Sequence, residues 1–167
     1  MFPRFQAAAA GMATLLLVPA VYADTPDQPA ARSPRVLSLK PIDELESDSA
    51  LRKLQKQRYN ATVAELSDVY QLFASGRARL DDATSCIESF AVAGSDVAES
   101  APERVRQLEL ALDVARNVES ITDAKHAEGN EPRHSLQHAR GCRLGIEIQL
   151  ARAREAVKTG DRPAEGK

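Results

Sequence analysis

The chain has 167 residues, with 22 Lys and Arg against 24 Asp and Glu and a formal net charge of −2, enough length for a single domain. The charges are mixed and no basic block occurs, which argues against nucleic acid as a partner, because phosphate binding needs clustered Lys and Arg. Trp is absent and aromatic residues are 4% of the chain, so any core is built from Leu, Ile, Val and Ala, which suits paired helices better than a thick globule.

In chain order, residues 1–23 read as a secretory signal peptide. Arg4 gives the positive start, Ala7 to Val18 the short apolar stretch, and Val21-Tyr22-Ala23 the small-residue cleavage site. The apolar run is shorter than the roughly 20 residues that span a bilayer, and Pro19 interrupts its tail. Cleavage after Ala23 is therefore expected, with no membrane span afterwards and a periplasmic or secreted location. Residues 24–41 are rich in Pro, Ala, Ser and Arg without any period, and read as a disordered leader. Residues 159–167 read as a disordered tail by the same argument.

Residues 42–158 form the helical region. The first helix is expected from about Ile42 to Ser75, with Leu51, Leu54, Arg58, Val63, Leu66, Tyr70 and Phe73 on one face. Gly76 stands where a helix ends, since it takes positive φ without a Cβ clash. The second helix is expected from near Arg79, with Asp81 and Asp82 favourable at its positive end. Leu80, Ala83, Ile87 and Phe90 make its apolar face, and Gly94-Ser95 weakens it. The third helix opens with a capping box, Ser100 accepting from the Glu103 N–H and Glu103 reaching back to the Ser100 N–H. Val105, Leu108, Leu112, Ala115, Val118 and Ile121 face its core, and Gly129 ends it. The fourth helix is expected to be N-capped by Asn130 with Pro132 in its first turn. Leu136, Ala139, Arg143, Ile146, Leu150, Ala153 and Val157 then alternate by three and four as a heptad seam. Arg143, the one charged member, is expected to snorkel or to pair with an acidic neighbour. No stretch alternates with period two, so no sheet is expected.

Two segments echo one another. Phe73-Ala74-Ser75-Gly76 and His126-Ala127-Glu128-Gly129 each close a helix and precede another, with the glycines 53 positions apart. Long helices joined by short connections become antiparallel neighbours. The fold class read from this pattern is all-α: two antiparallel helical hairpins forming an elongated four-helix bundle or coiled coil. The alternative is a looser pair of hairpins that needs a partner to cover its seams.

The tip pattern, an aromatic residue three before Gly, a polar turn, an acidic residue and then Ala, resembles the periplasmic coiled-coil hairpins of the TolC-like outer-membrane efflux protein family. Phe73, Gly76 and Asp82 carry the match in the first hairpin. Gly129, Leu136, Ala139 and the stretch Arg143-Leu144-Gly145-Ile146-Glu147-Ile148 carry it in the second. The resemblance runs from about Leu51 to Ala156. His126 replaces the tip aromatic, and the family's barrel strands have no counterpart here, so the expected protein keeps only the helical element. The resemblance implies that Phe73, Gly76, Arg77, His126, Gly129 and Asn130 lie at a docking end. The bland alternative is a pair of solvated turns.

Two constellations carry candidate chemistry. Cys86 and Cys142 are the only cysteines, and an even count in an exported chain suggests a disulfide; the alternative is two buried thiols acting as small apolar groups. His134, His138 and Cys142 stand at i, i+4 and i+8, spacing that puts two imidazoles and a sulfur on adjacent turns, with His126 across the bend. No Asp or Glu completes a ligand set on that face. The sequence presents no phosphate-cradling loop, nucleophile elbow or paired-carboxylate site, so a non-enzymatic role without a cofactor is expected. The leading expectation is an exported periplasmic scaffold or adaptor, binding an envelope protein or itself through coiled-coil faces or hairpin tips. The runner-up is a periplasmic transition-metal sensor using His134 and His138.

Overall fold

The computed structural model describes residues 34–160. The signal-peptide segment, the start of the leader and the end of the tail lie outside the described residues. Four α-helices account for most of the rest: α1 (Ala50–Ala74), α2 (Leu80–Val97), α3 (Ala101–Ala127) and α4 (Arg133–Gly160), with no strand among the described residues. The chain is an all-α pair of antiparallel hairpins, α1–α2 and α3–α4, packed on each other. One contiguous apolar cluster runs through all four helices, so the hairpins cover each other's seams. No helix among the described residues is long and apolar enough to cross a membrane.

α2 is the central element. It packs against α1, α3 and α4, and this explains why Ala83, Ile87, Phe90, Ala91, Ala93, Gly94 and Val97 are all buried. Gly94 does not break the helix. A Cβ added there would lie 2.9 Å from Gln107 Cβ, so glycine is what lets α3 approach so closely. Just beneath, the Tyr59 hydroxyl donates to Gln107 Oε1 at 3.0 Å, and the Tyr59 ring lies 5.8 Å from that of Phe90. α1, α2 and α3 thus meet at one point.

The buried face of α1 departs from the sequence expectation in its first half. Leu51 and Leu54 are 66% and 62% exposed, and the buried positions are Lys56, Tyr59, Thr62, Leu66, Tyr70 and Phe73. A lysine holds a core position here because its ammonium is satisfied where it lies. Nζ donates to Asp48 Oδ2 at 2.6 Å and to the Asp43 carbonyl at 3.0 Å, while the stem adds apolar cover. Arg58, also expected on the apolar face, is exposed and bonds Asp96 of α2 at 3.0 Å.

α4 shows a smaller shift. Cys142, not Arg143, completes the buried stripe of Leu136, Ala139, Ile146, Leu150 and Ala153. Arg143 lies one position to the side, bonded to Glu119 of α3 and, at 2.7 Å, to Glu147, which is the expected pairing. Burial works to raise the Glu147 carboxyl, but hydrogen bonds from Arg116 and Arg143 outweigh it and hold it below its ordinary range.

The helix ends correct two details. Ser100 Oγ accepts from Glu103 N–H at 3.3 Å as expected, but Glu103 Oε2 accepts from the Glu99 N–H at 2.8 Å rather than from Ser100. Asn130 does not cap α4, which starts three residues later, after Pro132.

α1 starts at Ala50, not near Ile42, and residues 34–41 of the expected leader are ordered against the helices. Arg35–Ser38 forms a 3-10 turn (η1) packed on α3 and α1, with Pro34 and Val36 buried. Burying a valine contributes roughly 1.5–3 kcal/mol. The chain then runs without regular structure to Ser49, whose hydroxyl accepts from the Arg52 N–H and starts α1.

A candidate interaction surface at the hairpin tips

Both hairpin turns lie at one end of the molecule and use one construction. After α1, the Arg77 N–H donates to the Leu72 carbonyl at 2.7 Å and the Gly76 N–H to Phe73 at 3.0 Å. After α3, the Asn130 N–H donates to Lys125 at 2.8 Å and the Gly129 N–H to His126 at 2.9 Å. These are the crossed bonds of a Schellman ending, which needs a left-handed residue after the helix. Gly76 and Gly129 supply it with φ of 74° and 77°. In each turn a further N–H, of Ala78 or Glu131, reaches the same carbonyl at 3.2 Å. The 53-residue echo in the sequence is therefore a repeated backbone structure, down to the approach to α2 and α4.

The two tips are fastened together. Lys125 Nζ sits 4.7 Å from the centre of the Phe73 ring and 3.5 Å from the Phe73 carbonyl. A half-buried cation over an aromatic face, as Lys125 is, contributes about 1 kcal/mol. The sequence reading does not single out Lys125. It stands at the echo position of Leu72, and this exchange of an aliphatic residue for a cation is the signal that could have found it.

Of the six expected tip residues, four are presented to solvent: Gly76, Arg77, Gly129 and Asn130. Phe73 is 2% exposed and belongs to the core. His126 is half-buried, and its Nδ1–H donates to the Glu131 carbonyl at 2.8 Å, so it braces its own turn. Phe73 and His126 thus shape the tip without forming its surface.

The cysteines do not pair. Both are buried and free. Cys86 is on the buried face of α2 and Cys142 on that of α4. Burial above all, then the neighbouring carboxylates, pushes both thiols up to about 11. They act as small apolar groups, the alternative that the sequence left open.

His134 and His138 stay neighbours, but Cys142 and His126 do not join them. His138 Nε2 lies 3.0 Å from Thr84 Oγ1 and 4.0 Å from Asp81 Oδ1 of α2. His134 is exposed beside it, at the open groove between the starts of α2 and α4, while Cys142 faces inward and His126 is engaged by its turn. Among the described residues no group of three or more His, Cys, Asp or Glu side chains is placed to hold a metal ion. Comparison with protein-family models, with curated proteins and with solved structures finds no match to this chain.

Proposed function

We propose that the chain is an exported helical adaptor that docks to an envelope protein through the shared tip of its two hairpins, in the manner implied by its resemblance to the hairpins of TolC-like efflux proteins. The observation that supports this reading is the coupling of two identically built turns by Lys125 and Phe73. That coupling holds the turns bearing Arg77 and Asn130 on one rigid support, as recognition by preformed surfaces requires. The amino-terminal signal pattern supports the exported location. Self-association has support from a different surface: Leu144 and Ile148, one turn apart on α4, are 48% and 52% exposed.

Photo-reactive residues in place of Arg77 and Asn130, in cells exporting the full chain, test the proposal. Tip docking gives a cross-link to one envelope protein from both positions, lost when Gly129→Val distorts the turn. Cross-links only between copies, through positions on α4, would replace docking with self-association. No cross-link at either tip would remove the tip from the interaction.

A further inference from the structure

The segment before α1 is held on the helices in a way that resembles a bound peptide more than a connecting loop. Helix side chains read its main chain at four places. Arg35 N–H donates to Asp113 Oδ2 at 2.9 Å. Ile42 N–H donates to Asn60 Oδ1 at 2.8 Å, and Asn60 Nδ2 donates back to the Ile42 carbonyl at 2.9 Å. Lys56 Nζ donates to the Asp43 carbonyl at 3.0 Å. The Asn60 amide thus offers Ile42 one acceptor and one donor, as a neighbouring β-strand would. These bonds do not depend on which side chains the segment carries.

Its side chains supply the selectivity. Pro34 and Val36 are buried and Leu37, Leu39 and Ile42 half-buried, whereas Arg35, Ser38, Lys40 and Pro41 lie more open to solvent. Main-chain bonding with pockets for some side chains is the usual division of labour in recognition of extended peptides. The receiving surface is built independently of the segment. α1 and α3 are held in place by α2 and by the Tyr59–Gln107 bond beneath.

We propose that the cleft between α1 and α3 is a peptide-binding groove, filled in the resting chain by its own residues 34–43. Its partner is an aliphatic segment of another protein that follows the course of the resident one, a 3-10 turn carrying Pro-x-Val and then an extended run that places a second aliphatic residue six positions on. The resident segment competes from within the same chain, at an effective concentration in the millimolar range, so a partner gains access when that segment is weakened or outbid. This surface is separate from the hairpin tips, and neither reading depends on the other.

The test uses the full chain and a fluorescent synthetic peptide with the sequence of residues 34–43, read by anisotropy. Val36→Asp in the protein removes the buried anchor of the resident segment, and Ile42→Pro removes the N–H that Asn60 accepts. Both lie outside the four α-helices. Each is expected to tighten peptide binding by at least about tenfold relative to the unsubstituted chain, and adding Asn60→Ala to either is expected to abolish the gain. If both single variants keep the helical circular dichroism of the parent and bind the peptide no more tightly, the proposal is wrong. It is equally wrong if the gain survives Asn60→Ala.

Discussion

At the scale of single residues, the glycines of the two turns and one buried ion pair have measurable consequences. Gly76 and Gly129 hold the only positive φ values among the described residues, and nothing lies within 4 Å of a Cβ built at either. Replacement by alanine therefore meets no obstacle except the left-handed conformation itself, which costs an L-residue roughly 1–2 kcal/mol. Gly76→Ala and Gly129→Ala should each lower stability by that amount in urea unfolding, with the helical signal retained. Asp48 bears on pH. Its hydrogen bond with Lys56, helped by the Leu45 N–H, holds its carboxyl below the ordinary value of 3.8. A depressed carboxyl stabilises the fold fully above its unfolded pKa, and that contribution fades as pH falls through the folded one. The urea midpoint should therefore drop below about pH 4, and Asp48→Asn should remove part of that dependence while lowering stability at neutral pH. An unchanged acid profile in the Asp48→Asn variant would mean that other carboxylates set it.

At the scale of the helices, the three glycines inside α2 and α4 should respond with opposite signs. Alanine gains about 0.8–1 kcal/mol over glycine in a helix interior. At Gly141 and Gly145 a Cβ meets nothing within 4 Å, so Gly141→Ala and Gly145→Ala should stabilise by up to that amount. At Gly94 the Cβ would press to 2.9 Å on Gln107 Cβ, an atom close to the α3 backbone. Forcing helices apart in a packed core costs about 1–3 kcal/mol, which exceeds the propensity gain, so Gly94→Ala should destabilise. Thermal melts of the three variants decide it by sign alone. Gly94 also shows where the sequence stops being legible. Apolar spacing located α2, α3 and most of α4, and the paired glycines located the turns, because both signals are local. Whether Gly94 weakens its helix or admits a neighbour depends on Gln107 of another helix. The same holds for α1: Leu51 and Leu54 continue a plausible apolar stripe, yet Lys56 is buried because Asp48 and the Asp43 carbonyl come to meet it. The exchange of Arg143 for Cys142 on α4 has this origin too, since Glu119 on α3 holds the arginine aside. Of the tip, the turns were readable and the lock was not, because Lys125 and Phe73 lie on different hairpins.

At the scale of the whole molecule, the question is whether two hairpins joined through one central helix unfold as one body. Each hairpin has a short turn and could in principle form alone. Against that, the core is contiguous, and Phe90, with 0% exposure, sits on the central helix against Tyr59. Gln107 of α3 adjoins the same spot through both Tyr59 and Gly94, and the tips are tied a second time by Lys125. A fold held at two separated places loses both when either hairpin opens, so small domains of this kind unfold in one cooperative step. Phe90→Ala, which removes a buried aromatic at a cost of about 3–5 kcal/mol, provides the test. In native-state hydrogen exchange it should lower the protection of core amides at Leu66 and Ile87 in the first hairpin and at Val114 and Ile146 in the second by the same free energy. The Ile42 amide, bound only by Asn60, should exchange through a smaller opening that the substitution leaves unchanged. Loss of protection confined to α1 and α2 would mean that α3 and α4 stand as an independent unit.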